Sequence, residues 1–145
     1  MSIRVAIVED NRRFRESVEL VLRIRPGLEH VGSFGSVEEL SGALNTPAAM
    51  VARWDVVLMD LDLPGASGIE GIRLMKKRYP SVAVVVCTVF EEPATILNSI
   101  SAGADGYLLK SSGLDDLVDQ LQSVVEGGSS LSSTVARTLL DVVRK

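Results

Sequence analysis

The 145-residue sequence predicts a doubly wound α/β fold, a five-stranded parallel sheet with helices on both faces and an additional C-terminal helix. Three observations carry that expectation. Short β-branched runs recur five times along the chain, with helix-like segments between them. The run SVAVVVCT (81–88) is continuously apolar rather than alternating, as in a parallel strand covered on both faces. Hydrophobic residues make up 46% of the chain, against only 5 Pro and 12 Gly, so there is material for a core and little sign of disorder.

The elements follow in order. IRVAIV (3–8) is the first strand, and a helix runs from Asn11 to Ile24, stopping before Pro26. LEHVGSF (28–34) is the second strand. Ser36 with Glu39 three residues later has the spacing of a capping box that opens the second helix. NTPAAMVAR (45–53) lengthens the next crossover and reads as more helix with a loop. DVVLM (55–59) is the third strand. Ser67 and Glu70 repeat the capping-box spacing, and IEGIRLMKKRY sets Ile69, Ile72, Leu74 and Met75 in a broad apolar stripe. Strand four is 81–88, a helix spans 92–102, and DGYLL (105–109) is strand five. A helix from Leu114 to Glu126 ends at Gly127 and Gly128. Past that break, Ser132 caps a last helix, 132–144, with Val135, Leu139 and Val142 on one side. The chain thus divides into one domain, 1–128, and a linker-like helix, 129–145.

Composition narrows the function. With 19 acidic and 15 basic residues the net charge is -4, which gives no support for a nucleic-acid surface. Cys87 is the only cysteine, so a disulfide scaffold or a cysteine-rich metal site is excluded and the expected compartment is the reducing cytoplasm. In its apolar run Cys87 reads as a buried, inert thiol. His30 has no second histidine with which to hold zinc. MSIRVAIVED is too short for a signal peptide or a membrane span.

The stretch VVLMDLDLPG (56–65) raises the chemical question, because a strand runs directly into two aspartates, Asp60 and Asp62. Doubly wound folds bind ligands beyond the C-terminal ends of their strands. Strand one delivers Glu9 and Asp10 there, strand three Asp60 with Asp62 just beyond, strand four Thr88, and strand five Lys110 after Tyr107. One aspartate after a strand is usually a loop residue or a helix cap, and one lysine is usually solvated. All of them at strand ends is hard to ascribe to surface chance. Glu9, Asp10 and Asp60 packed together would repel one another without a hard cation, and all-oxygen donors favour Mg²⁺. Asp60, charged at neutral pH, can act as a nucleophile. A phosphoryl group on it would pair with Lys110 and hydrogen-bond to Thr88.

This constellation resembles the receiver domain of two-component response regulators, over about residues 3–126. Glu9–Asp10 is similar to the family's acidic pair, Asp60 to its phosphoacceptor, Thr88 to its switch hydroxyl, Tyr107 to its signalling aromatic and Lys110 to its lysine, followed here by Ser111 rather than proline. LPGASG (63–68) is similar to the family's loop after the phosphorylation site. AGADGYLLK (102–110) and EGGSSLSSTVARTLL resemble regulators that carry a C-terminal LuxR-type helix-turn-helix domain. The resemblance implies a flavodoxin-like strand order 2-1-3-4-5, a sensor histidine kinase as partner, and Mg²⁺ held by Glu9, Asp10, Asp60 and the backbone carbonyl of Asp62. It also implies a signalling protein rather than an enzyme. Thr88 would move toward the phosphoryl group and let Tyr107 turn inward, reshaping the face of helix 92–102, strand 105–109 and helix 114–126 and promoting a homodimer.

An alternative places Asp60 and Asp62 in a haloacid-dehalogenase-like phosphatase, as nucleophile and acid/base. That motif normally opens its fold, whereas here it sits on strand three, and the remaining length holds no cap domain. Val89, where the family generally has a smaller residue, would narrow access for small phosphodonors. Phe90 and Asp62 would either hold or exclude attacking water. The sequence to Lys145 shows no recognition helix, so no direct contact with DNA is expected from these residues. Three origins are open: a chain cut before its output domain, a natural single-domain regulator, or a tail with another use. The likeness to linker sequence favours the first.

Overall fold

The structure, a computed structural model, describes residues 2–46, 53–127 and 133–144. Its elements are β1 (Ile3–Val8), α1 (Arg12–Ile24), β2 (Leu28–Phe34), α2 (Val37–Leu44), β3 (Val56–Met59), α3 (Gly68–Arg78), β4 (Ala83–Thr88), α4 (Pro93–Ser101), β5 (Gly106–Leu109), a 3₁₀ turn (Lys110–Ser112), α5 (Leu114–Val125) and α6 (Ser133–Val143). The strands form one sheet in the order β2-β1-β3-β4-β5, and every pair is parallel. This is the doubly wound, flavodoxin-like arrangement.

Side-chain alternation along each strand divides the core into two layers. Val5, Ile7, Val56, Leu58, Val85, Cys87 and Leu108 pack with Val18 and Leu22 of α1 and with Leu117, Val118 and Leu121 of α5. The alternate residues Ala6, Val8, Val57, Met59, Val84, Val86, Tyr107 and Leu109 pack with α2, α3 and α4 through Leu40, Ile72, Met75 and Ile96. Both faces are covered, which accounts for strands that read as continuous apolar runs. Cys87 is buried, and burial pushes its thiol pKa far up, in keeping with an inert residue.

Three strands start later than their sequence runs. Asp55 precedes β3, and its carboxylate accepts the Arg4 amide at 2.8 Å while pairing with the Arg4 guanidinium at 3.1 Å. Burial alone would raise the Asp55 pKa, but the hydrogen bonds from Arg4 outweigh it and hold the carboxyl below its ordinary value. Asp105 does the same before β5, accepting the Val84 amide at 2.8 Å and pairing with Lys76. Ser81 and Val82 belong to the turn before β4, where the Val82 amide bonds to the Tyr79 carbonyl at 3.0 Å.

The helix caps are mixed. Ser36 accepts the Glu39 amide at 3.1 Å as expected, but the Glu39 carboxylate reaches the Gly35 amide, at 3.0 Å, rather than that of Ser36. Ser67 is the N-cap of α3 yet makes no capping bond with its side chain, so the second capping box does not form. The backbone holds this helix start instead, with the Gly68 amide bonded to the Leu61 carbonyl at 3.1 Å. In the α3 stripe Ile72 and Met75 are buried, while Ile69 and Leu74 are half-buried against the same layer.

On α4, Ile96 is fully buried while Leu97 is 43% and Ile100 38% exposed, the unequal burial that their wide arc on the helix requires. Helix α6 folds back against α4. Val135 is fully buried within the α2–α4 layer and Leu139 packs against it, but Val142, expected on the same side, is 37% exposed. The Ser132 cap and most of 45–53 lie outside the described residues.

Candidate functional site

Register brings the strand ends level. Val8 pairs with Met59 and Met59 with Val86, so the next residues, Glu9 and Asp60, emerge side by side at the C-terminal edge. Alternation then assigns faces. Glu9 and Asp60 follow Val8 and Met59 and turn to the α1/α5 side, as does Lys110 after Leu109. Thr88 and Tyr107 fall on the α2–α4 side.

The contacts bear this out. Carboxylate oxygens of Glu9, Asp10 and Asp60 lie within 4.8 Å of one another, with Glu9 and Asp60 buried and Asp10 exposed. Lys110 Nζ stands 2.7 Å from Glu9 Oε1 and 3.3 Å from Asp60 Oδ2. The Asp60 carboxylate is aimed by its own backbone, since Oδ1 accepts the Leu61 amide at 2.8 Å. Glu9 is held at four points. Oε2 accepts the Asn11 amide at 3.0 Å, its carbonyl accepts from Arg15 Nη1 at 2.9 Å, and its amide donates to the Phe34 carbonyl at 2.8 Å, in addition to Lys110.

Burial and pairing compete differently in the two partners. Burial raises the Glu9 pKa, with the Asp60 charge adding to it, and the bonds from Lys110 and Asn11 offset only part. Burial favours neutral Lys110 too, but Glu9 and Asp60 together outweigh it and hold the ammonium charged. Net charge in the crevice is negative, three carboxylates to one ammonium.

Beside this cluster, Thr88 and Tyr107 are fully buried. The Phe90 amide lies 3.5 Å from Thr88 Oγ1, and the Phe90 carbonyl accepts the Tyr107 hydroxyl at 2.8 Å. Phe90 thus joins hydroxyl and ring through its backbone, and Tyr107 stands inward. Burial pushes the phenol pKa up, so Tyr107 remains a donor. Val89 is exposed. Asp62 is exposed as well, and its carboxylate is not part of the three-carboxylate group.

Sequence reasoning missed Arg15 and Phe14, both in the first turns of α1. Arg15 grips the Glu9 carbonyl, and Lys110 Nζ lies 4.5 Å from the centroid of the Phe14 ring. The available signal was position, since a helix that starts directly after an acidic pair turns its first residues back over it.

A parallel doubly wound domain with an acidic, lysine-bearing crevice at its strand ends defines a class of binding and signalling domains. The family model of the response regulator receiver domain matches residues 5–122, and the chain belongs to that family. It is a receiver domain of two-component signalling. The transcriptional regulatory protein DegU of Brevibacillus brevis is 30% identical over 145 residues, 99% of this chain and 58% of its own length. The response regulator GacA of Pseudomonas viridiflava is 34% identical over 137 residues, 94% of this chain and 62% of its own. The chain therefore spans about three-fifths of the length of these curated relatives. A crystal structure of a LuxR-family two-component response regulator from Aurantimonas sp. SI85-9A1 superposes with a TM-score of 0.88 at 26% identity, covering 100% of both chains.

Proposed function

We propose that the domain is a phosphorylation switch in which Asp60 accepts a phosphoryl group from the phosphohistidine of a sensor histidine kinase. The observation that carries this is the meeting of Glu9, Asp10, Asp60 and Lys110 from three strand ends, with the ammonium within 3.3 Å of both buried carboxylates. An Asp60 oxygen forms the bond to phosphorus as the phosphorus–nitrogen bond breaks. Lys110 then has a phosphoryl oxygen to pair with beside Asp60.

The donor set fits Mg²⁺, since it is all oxygen and lacks histidine and cysteine. Asp10, Asp60 and Glu9 would hold the ion with the carbonyl of Asp62, and bound there it neutralises charge on the phosphoryl oxygens. The phosphatase alternative needs Asp62 as acid/base beside Asp60, a role its exposed position and absence from the cluster do not support.

Thr88 is the element through which phosphorylation would be read. Its hydroxyl and that of Tyr107 meet the same Phe90 backbone, so a shift of Thr88 toward Asp60 is coupled through Phe90 to the packing of Tyr107, whose inward position here is the one phosphorylation is expected to favour. The inward ring is one of the two packings such a switch requires. No described helix is long and apolar enough to cross a membrane, and the reading puts the domain in the cytoplasm with its kinase, feeding a transcription-regulating output.

Incubation with a phosphorylated sensor kinase and Mg²⁺ is expected to add one phosphoryl group by intact mass, acid-stable and base-labile, and Asp60→Asn is expected to remove it entirely. Persistence of the adduct in Asp60→Asn counts against Asp60. Rapid hydrolysis of small phosphate esters would revive the phosphatase.

Residues 1–128 are proposed as the switch and 129–145 as a coupling segment, because α6 packs on α4 without joining the sheet. The face of α4 and α5 is proposed to mediate phosphorylation-promoted dimerisation, and α6 covers part of it. Deleting 129–145 is expected to leave phosphorylation of Asp60 intact and to increase self-association, as read by light scattering with and without beryllofluoride. Unfolding of the shortened chain would move the boundary. A monomer mass under all conditions would end the dimer proposal.

A further inference from the structure

We propose that Phe14 is a positioning residue for Lys110, its ring forming the platform on which the ammonium rests above the acidic crevice. The inference builds on the phosphoacceptor reading of the site. Lys110 Nζ lies 4.5 Å from the Phe14 ring centroid, within the range of a cation–π contact. The same nitrogen reaches Glu9 Oε1 at 2.7 Å and Asp60 Oδ2 at 3.3 Å. An ammonium has three N–H groups and no acceptor. Two are directed to carboxylates, and the ring covers another side of the nitrogen, which is one reason the lysine side chain is only 16% exposed.

The ring is fixed by the helix that fixes Glu9. Phe14 donates its amide to Asn11 Oδ1 at 3.0 Å, and Asn11 donates its own amide to Glu9 Oε2 at 3.0 Å. The side chain is half-buried against the α1/α5 core layer. One turn of α1 therefore sets both the carboxylate that binds Lys110 and the surface beneath it. A leucine here would fill space but would not attract charge. The ring attracts the cation through a broad, non-directional field, without a lone pair that would pin it. That suits an ammonium which must move from two carboxylates to a phosphoryl oxygen while staying over Asp60.

The test replaces Phe14 site-specifically with phenylalanines of increasing ring fluorination, which keep the shape of the ring while draining its negative face. Binding of beryllofluoride with Mg²⁺, a mimic of the phosphoryl group on Asp60, is followed by fluorine nuclear magnetic resonance in the full chain. Affinity is expected to fall stepwise across the series, by about tenfold in all. In a Lys110→Met background the same series is expected to be flat, a result that a purely packing role for Phe14 would not produce. Equal affinities across the series in the parent chain, or the same decline without the lysine, would overturn the proposal. Failure of the unsubstituted chain to bind beryllofluoride would instead overturn the phosphoacceptor reading, and the role of Phe14 with it.

Discussion

Gly68→Ala is expected to destabilise the domain by about 3 kcal/mol and to displace Asp60, although it adds one methyl group to a helix. A Cβ at Gly68 would lie 2.0 Å from the Asp60 carbonyl oxygen, 2.7 Å from Leu61 Cα and 2.9 Å from the Asp60 carbonyl carbon. All three are backbone atoms, so no side chain can rotate aside. The start of α3 and the end of β3 would have to separate by about an ångström in a close-packed interior. That motion would weaken the bond from the Gly68 amide to the Leu61 carbonyl and re-aim the carboxylate oriented by the Leu61 amide. Gly42→Ala is the control. It lies inside α2 with nothing within 4 Å of its would-be Cβ, so alanine there is expected to stabilise by about 0.5–1 kcal/mol. Urea denaturation of both variants, with beryllofluoride binding as a second readout, separates the cases. Equal stabilities would show that the tight approach at Gly68 relaxes freely.

The strand ends were legible because their placement depends only on the order of the elements along the chain. A period of two along five apolar runs fixes which residues leave the sheet together, and Glu9, Asp10, Asp60, Thr88 and Lys110 do leave it at one edge. The division of that edge was in principle legible from the same alternation. Glu9, Asp60 and Lys110 fall on the α1/α5 side, and Thr88 and Tyr107 on the other.

What was not legible depended on three-dimensional approach. Ser67 carries the spacing of a capping residue, but the backbone at Gly68 is drawn onto Leu61, and no local pattern announces that contact. The burial of Val135 and the exposure of Val142 depend on the angle at which α6 lies on α4, which helical periodicity does not supply. The sequence assigns Glu9 to the metal alone, Asp60 to the metal and the phosphoryl group, and Lys110 to a phosphoryl oxygen, whereas in this structure Lys110 pairs with both carboxylates. That pairing requires an ammonium to cross from β5 to β1, and spacing along the chain does not report it.

Lys110→Met should split two properties that a simple loss of structure would move together. Methionine matches the reach of the lysine stem and can rest on Phe14, but it carries no charge. Without the ammonium, Glu9 and Asp60 lose their partner at 2.7 and 3.3 Å, and three carboxylates face one another with nothing to offset them. Mg²⁺ affinity is therefore expected to rise. Against a divalent ion, a unit charge about 5 Å away at an effective dielectric near 20 is worth roughly 7 kcal/mol, and the exposed side of the crevice, where Asp10 sits, screens this to about tenfold in affinity. The metal-free variant is expected to melt at a lower temperature, because two buried carboxylates repel, and millimolar Mg²⁺ should restore most of the loss. Phosphoryl acceptance should move the opposite way. With no cation left to meet the phosphoryl oxygens from the β5 side, the rate onto Asp60 is expected to fall about a hundredfold even at saturating Mg²⁺. Titrating Mg²⁺ by nuclear magnetic resonance and timing phosphorylation by intact mass measure the two arms on the same sample. Tighter metal with slower phosphorylation identifies Lys110 as a charge that competes with the ion and assists the phosphoryl group. A parallel fall in both would reduce Lys110 to a structural support for the two buried acids.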